Sequence, residues 1–180
     1  MAENCKISWR LAESQDADAL ARVRRQAWES AYRGIYPDEL LDGFDYRDHA
    51  ARFLRNMENP DMKVYILEDG SEAVGFFVIS DPERPFYKDF PVCLNALYLI
   101  PAYHRMGIGR RMMDFARDWC RQRGYNRFFL SCNLYNHRAR AFYEAMGGVL
   151  GEIDNGNPDP GADVCYYEFD LGGRYVESTV

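Results

Sequence analysis

The sequence lacks paired cysteines. Its five cysteines stand at positions 5, 93, 120, 132 and 165, an odd number without a C-x-x-C pair. A disulfide framework or a zinc site needs closer or paired spacing, so neither is favoured. We therefore expect reduced thiols, a cytoplasmic protein and no bound metal.

Long apolar runs are also missing. The N-terminal segment MAENCKISWRLAESQD holds no stretch long enough for a signal peptide, and no later stretch is long enough for a membrane span. We therefore expect no membrane partner. No repeat, low-complexity tract or linker interrupts the chain, so residues 1–180 are expected to form a single domain.

The chain has no excess of positive charge. Its 22 Lys and Arg residues against 28 Asp and Glu residues give a formal net charge of −6. Nucleic-acid-binding domains usually carry a basic face, so nucleic acid is not expected as a partner. An acidic balance is compatible with a cationic substrate such as an amine.

Apolar periodicity and turn residues predict the element order β-α-α-β-β-β-α-β-α-β-β. Ser14 or Asp16 is expected to cap the first helix, and Asp69-Gly70 indicates a hairpin. A strand–helix–strand unit over 92–132 implies parallel pairing, whereas the hairpins imply antiparallel pairing elsewhere. The expected fold class is α/β with a mixed α+β sheet, in which about seven strands are flanked by helices.

The clearest functional signal is the segment PAYHRMGIGRRMMDFARDW, residues 101–119. A helix N-terminus normally attracts acidic residues, because its free N–H groups are positive. This one carries Arg105, Arg110 and Arg111, beside Gly107 and Gly109. Glycine lets a backbone approach a ligand closely, and the first-turn N–H groups point at it. The segment predicts a phosphate or pyrophosphate site; a plain tight turn with solvated arginines is the alternative.

Two common phosphate-binding loops do not match this segment. The dinucleotide fingerprint needs a small residue where Met112 stands, because the helix and strand pack closely there. The nucleotide P-loop needs a lysine and a following hydroxyl, and this loop has neither. A nucleotide-binding α/β protein is therefore disfavoured.

A third pattern fits better. The segment LYLIPAYHRMGIGRRMM, with NHRARAFYEAMGG further along, resembles the acetyl-CoA-binding region of the GCN5-related N-acetyltransferase (GNAT) family. In that family an apolar strand and a proline precede [R/Q]-x-x-G-x-[G/A], and a later helix carries an Asn and a Tyr seven residues apart. The element order is similar over nearly the whole chain. His104 departs from the pattern, as does Arg105, which stands where a small residue is common.

The resemblance implies an N-acetyltransferase that transfers an acetyl group from acetyl-CoA to a primary amine, by direct attack in a ternary complex. Tyr143 is implied to protonate the leaving thiolate as the catalytic acid. The implied coenzyme-binding residues are Leu97, Tyr98, Leu99, Arg105, Met106, Gly107, Ile108, Gly109, Arg110 and Asn136. Tyr32 and Cys93 are implied walls of the acceptor site. The acceptor is a small-molecule or protein amine, and a homodimer is compatible with the family.

The resemblance leaves the general base unassigned. Many relatives carry a Glu where Cys93 or Ser131 stands. A catalytically inactive acyl-CoA-binding regulatory domain of the same fold is therefore the alternative function. Two of the implied site residues also have a purely structural interpretation. Tyr143 lies on an apolar helix stripe, which is typical of core packing, and Asn136 is placed to cap the same helix.

Overall fold

The computed structural model describes residues 6–83 and 87–172. Its elements are β1 (Ile7–Leu11), α1 (Ala17–Tyr32), α2 (Asp38–Asp42), α3 (Tyr46–Glu58), β2 (Met62–Asp69), β3 (Glu72–Ser80), β4 (Cys93–Leu99), α4 (Ile108–Gln122), β5 (Arg127–Asn133), α5 (His137–Ala145), β6 (Val149–Asp154) and β7 (Val164–Asp170). The predicted order is confirmed, with α2 as a short helix between the first two long ones. Cys5 lies outside the described residues, and the other four cysteines are free thiols.

Seven strands form one mixed sheet in the order β1-β2-β3-β4-β5-β7-β6. The neighbours are antiparallel except β4 and β5, which are parallel and joined by α4, as the unit 92–132 predicts. The β2–β3 hairpin turns at Gly70, whose φ of +63° is left-handed and suits glycine. None of the helices in the described ranges is long and apolar enough to cross a membrane.

The two faces of the sheet are covered by different helices. Phe76 packs edge-on against Phe53 of α3, with ring centroids 5.0 Å apart. The next residue, Phe77, points to the opposite face and lies 5.2 Å from Phe115 of α4. Because side chains alternate along a strand and both faces are covered, β3 is an almost continuous apolar run rather than an alternating one.

The parallel strands β4 and β5 pair only where they begin. Cys93 lies opposite Phe129, whose N–H donates to the Val92 carbonyl at 3.1 Å. Beyond that pair the strands diverge, so the edge of residues 94–99 that faces β5 has no strand partner within the described ranges. A bulge at Asn95 shifts the register of β4 against β3, and such bulges bend a strand. The carboxyl ends of β4 and β5 are therefore open to a ligand.

Asp16 is bonded differently from the sequence-based expectation. It precedes α1, but its side chain makes no bond to that helix. It accepts the Glu13 N–H at 2.8 Å and two bonds from the Arg10 guanidinium, at 2.7 and 2.9 Å. Arg10 also donates to Glu68. The Arg10 bond holds the pKa of the buried Asp16 carboxyl below its usual range.

We expect Arg10→Gln to lower the free energy of unfolding at pH 7 by about 1–2 kcal/mol, because a buried carboxylate loses its partner in a half-exposed pair. The lowered pKa of Asp16 stabilises the fold above the unfolded pKa of about 4, and this contribution is lost as pH falls through the folded value. Urea unfolding at pH 7 and pH 3 should therefore show a smaller deficit at pH 3. An equal deficit in Arg22→Gln, an exposed arginine, would contradict this.

Candidate active site

The turn that precedes α4 has left-handed backbone at two positions and, within the described part of the chain, unpaired backbone N–H groups. Gly107 has a φ of +77° and Arg105 a φ of +66°, both in the left-handed region. The first helical bond runs from the Arg111 N–H to the Gly107 carbonyl at 3.2 Å. In the described ranges no acceptor meets the backbone N–H groups of residues 105–110. Such a set of free N–H groups at a helix start attracts a phosphate, so this turn fits the pyrophosphate of a coenzyme.

The two glycines of the turn have different roles. A Cβ on Gly107 would meet no atom within 4 Å, so its positive φ, rather than space, favours glycine there. A Cβ on Gly109 would lie only 3.1 Å from the Phe142 ring of α5. Gly109 therefore allows α4 to pack against α5, in addition to its predicted place in the anion site.

The arginines of the turn also differ. Arg105 and Arg110 are exposed and form no ion pair within the described ranges, so both guanidinium groups are available to a bound phosphate. Arg111 instead stacks on the Trp9 ring at 4.8 Å and donates to the Ile7 carbonyl at 3.4 Å. Met106 is exposed at the tip of the turn, whereas the Ile108 side chain is buried in the core.

His104 joins the end of β4 to α5. Its Nε2 lies 3.0 Å from the Leu99 carbonyl, and its Nδ1 is bonded to the Arg138 guanidinium. Since a guanidinium only donates, Nδ1 is the acceptor and Nε2 carries the proton. The residue that departs from the family pattern therefore has a structural role, and the N–H groups of the turn remain free.

Tyrosine side chains from three elements lie close to one another beside β4. The hydroxyls of Tyr32 on α1 and Tyr98 on β4 are 2.9 Å apart. Tyr36 stacks on Tyr32, with ring centroids 4.4 Å apart. Tyr143 of α5 is close enough to Tyr98 for the second phenol to contribute to its pKa. Tyr32, Tyr98 and Tyr143 thus lie close together, whereas Cys93, the other predicted acceptor residue, packs in a separate cluster.

The Tyr143 side chain is only 8% exposed. Burial raises its pKa above the ordinary value of about 10, so the hydroxyl keeps its proton at neutral pH. No residue in the described ranges bonds to this hydroxyl. A protonated phenol without a protein partner is suited to donate to a ligand.

Asn136 caps α5, as its structural interpretation predicts. Its Oδ1 accepts the Ala139 N–H at 3.1 Å. The amide Nδ2 has no partner within the described ranges, so it remains available to donate to a coenzyme. The cap and the predicted binding role use different atoms of the side chain.

Cys93 and Ser131 occupy the places where the family resemblance implies a carboxylate. Cys93 is 4% exposed and packs with Tyr87, Phe90 and Phe129 in a cluster separate from the main core. Burial raises the pKa of its thiol, so it is not a base at neutral pH. Ser131 is exposed on β5 and lies opposite Tyr166. Neither side chain supplies the carboxylate.

Comparison with known proteins decides the family. A model described as "Acetyltransferase (GNAT) family" matches residues 22–148, which is more than half of the chain. The chain belongs to the GNAT family. Its resemblance to that family, its fold and its class as an acyltransferase are thereby confirmed.

Individual relatives of this GNAT protein are distant. An uncharacterised N-acetyltransferase, YhfO of Bacillus subtilis, is 27% identical over 77% of the chain and 87% of its own length. A spermidine N(1)-acetyltransferase of Thermoplasma acidophilum is 25% identical over 82% of the chain and 91% of its own length. The PaiA N-acetyltransferase of the same organism, solved with coenzyme A, is 20% identical, with a TM-score of 0.70 over 92% of this chain and 99% of that one.

One residue near the tyrosines beside β4 was not singled out from the sequence. Arg24 precedes Trp28 and Tyr32 at spacings of four, so the three side chains share a face of α1. Its guanidinium lies 4.6 Å from the Trp28 ring centroid and 5.7 Å from that of Phe53. The available signal was its position two helical turns before Tyr32, a predicted acceptor residue.

Proposed function

We propose that this GNAT protein transfers an acetyl group from acetyl-CoA to a primary amine in a ternary complex, with residues 1–180 as one catalytic domain. The observation that carries the proposal is the open end of β4 and β5 beside the turn of residues 105–110, whose N–H groups have no acceptor in the described ranges. A pyrophosphate suits the turn, and an amide-containing arm suits a free strand edge.

The residues that would hold the coenzyme supply three kinds of donor. The backbone N–H groups of residues 105–110 and the guanidinium groups of Arg105 and Arg110 would meet the phosphates. The free edge of residues 97–99 would pair with the pantetheine arm, and the Asn136 Nδ2 would donate to it. Bound acetyl-CoA supplies the activated acetyl group.

Tyr143 would act at the sulfur that leaves. When the amine nitrogen bonds to the acetyl carbon, the carbon–sulfur bond breaks and the sulfur takes the electron pair. The buried Tyr143 hydroxyl holds a proton that it would donate to this sulfur, which gives the thiol product, and the phenolate would then regain a proton from solvent. The amine loses its own proton to solvent, since neither Cys93 nor Ser131 offers a base.

The proposal is tested by thiol release from acetyl-CoA with a panel of primary amines. We expect saturable release that depends on both substrates, with intersecting initial-rate lines, because the amine attacks while the coenzyme is bound. Without a dedicated base, kcat/KM should rise with pH as the acceptor itself loses its proton. Parallel lines would contradict direct attack. Coenzyme binding without release above background hydrolysis would favour the inactive regulatory alternative.

For the acetyl transfer itself, the acceptor is proposed as a small-molecule or protein amine. One relative, 25% identical to this chain, is named as a spermidine acetyltransferase. A homodimer and a cytoplasmic location also stay predictions.

A further inference from the structure

Arg24 is a half-buried cation without a counter-ion. Its Nε is completely buried and meets no hydrogen-bond acceptor in the described ranges. The Trp28 indole N–H, one helical turn later, is buried without an acceptor as well. Both groups are donors, and unpaired buried donors and charges are costly to a folded protein. Arg24 and Trp28 therefore each have a donor that a ligand accepting hydrogen bonds would satisfy.

No carboxylate pairs with Arg24 in the described ranges, and none is among the main influences on its pKa. Burial lowers its pKa; the Tyr98 phenol is the next influence and raises it, followed by Arg52, which lowers it, and by the phenols of Tyr32 and Tyr36. His49 is neutral there, because burial and then the two arginines lower its pKa to about 4. Arg52 forms no ion pair within the described ranges either. Asp45 and Asp48 influence His49, and Asp159 influences Tyr36, but none of these carboxylates is paired with Arg24 or Arg52.

Among the half-buried arginines of the described ranges, Arg24 is the one that meets no hydrogen-bond acceptor. The arginines with a carboxylate partner are Arg10, Arg25, Arg33, Arg117, Arg121 and Arg127. Most of these are surface pairs, where a partner contributes little stability. The half-buried Arg24 is the position at which a partner would matter most.

Arg24 faces the proposed acceptor side of the reaction centre. It shares a face of α1 with Tyr32, whose hydroxyl bonds that of Tyr98 on β4. The Tyr98 phenol also contributes to the pKa of Tyr143, the proposed acid. Arg24, Tyr98 and Tyr143 therefore form one electrostatically connected group, with the cation on the α1 side and the acid on α5.

We propose that the acceptor amine also carries a carboxylate, and that Arg24 binds this carboxylate beside the phenols of Tyr32, Tyr36 and Tyr98. The inference rests on the proposed acetyl transfer and adds the acceptor's chemical class. A guanidinium matches a carboxylate with two parallel hydrogen bonds, and the hydroxyls supply further donors. One half-buried cation balances one negative charge. A phosphate would need several donors, such as those of the turn 105–110.

The same charges disfavour polycationic acceptors. A polyamine or an aminoglycoside would bring further positive charge next to Arg24 and Arg52, and like charges in a half-buried site repel strongly. The unpaired Arg24 therefore opposes the preference for cationic substrates that the net charge of −6 by itself favours. The net charge predicts a preference for polycationic amines, whereas Arg24 predicts a preference for amino carboxylates, so one panel of acceptors distinguishes them.

The test compares amino carboxylates with their carboxamides. The probes are the protein amino acids, β-alanine and γ-aminobutyrate, their carboxamides, and spermidine. For wild type we expect kcat/KM for the best carboxylate to exceed that for its carboxamide by about 30-fold or more, because the carboxamide leaves the guanidinium unpaired. A carboxamide or spermidine that reacts as well as the best carboxylate would overturn this inference and leave acetyl transfer standing.

Variants of Arg24 assign the preference to that residue. Arg24→Met keeps a long side chain on Trp28, and we expect it to raise KM for the carboxylate by about 30-fold while the carboxamide changes by less than about 3-fold. Arg24→Lys should recover part of the loss, since it keeps the charge but not the planar fork. Arg22→Met, at an exposed position of the same helix, is the matched control.

Thermal melting separates this role from a structural one. Removal of an unpaired buried charge should leave the Tm of Arg24→Met unchanged or raise it by a few degrees. Equal losses for carboxylate and carboxamide in this variant, or a lower Tm that explains the loss, would overturn the inference. Bound acetyl-CoA without thiol release from any probe would instead overturn the proposed function, and this inference with it.

Discussion

Tyr143→Phe is expected to lower kcat by about 100-fold, within the range by which a positioned acid accelerates a reaction. The loss should fall on kcat, because the buried hydroxyl meets the leaving sulfur and not the part of the coenzyme that gives affinity. The Kd for acetyl-CoA should change by less than about 3-fold, a difference of under 1 kcal/mol. Steady-state kinetics and calorimetric titration measure the two quantities separately.

The structure also predicts the stability of Tyr143→Phe. The hydroxyl has no partner in the described ranges, so its removal leaves no donor or acceptor unpaired and the Tm should not fall. Tyr65→Phe is the matched control, because Tyr65 is a half-buried tyrosine that stacks on Phe77 at 4.7 Å and packs against Phe115 of α4, on the opposite face of the sheet. A Tyr143→Phe enzyme with unchanged kcat would show that Tyr143 serves packing alone.

Gly107→Asp is expected to weaken acetyl-CoA binding by about 100-fold, since a like charge beside the pyrophosphate costs several kcal/mol. Space does not cause the loss, because a Cβ at Gly107 would meet no atom within 4 Å. Asp also tolerates a positive φ better than most residues do. The loss should therefore be electrostatic, and it should shrink as salt increases.

Gly107→Asn is the control for this variant. Asn and Asp have the same shape and a similar tolerance of the left-handed region, so they differ at this position in charge. The Asn variant should lose less than about 10-fold, and both should melt within a few degrees of each other. If the Asn variant binds as weakly as the Asp variant, or if neither loses affinity, the anion site is not at this turn.

The element order could be predicted because local patterns determine it. The Asp69-Gly70 turn and the apolar runs on either side identify a hairpin without knowledge of the rest of the fold. The divergence of β4 and β5 could not be predicted in this way. A strand pattern reports that a segment is extended, whereas its pairing depends on neighbours that are distant in sequence.

The candidate site could be predicted only in part, because it too depends on contacts between residues that are distant in sequence. The turn of residues 105–110 is a contiguous signal, but the contact of Gly109 with Phe142 joins two helices and has no local signature. Asp16 was one of two residues predicted to cap α1, the other being Ser14, yet its bond to Arg10 prevails because a charged partner binds more strongly. Arg24 was overlooked since the lack of a partner is a property of its surroundings and not of its neighbours in sequence.

Calorimetric titration with acetyl-CoA, with NAD and ATP as controls, tests the central claim most directly. The open β4 edge and the free N–H groups before α4 predict one acetyl-CoA site per chain, with a Kd on the order of 10 μM, and no heat from NAD or ATP. A folded protein that does not bind acetyl-CoA, or that binds NAD or ATP equally well, would contradict the assignment of this turn to the coenzyme.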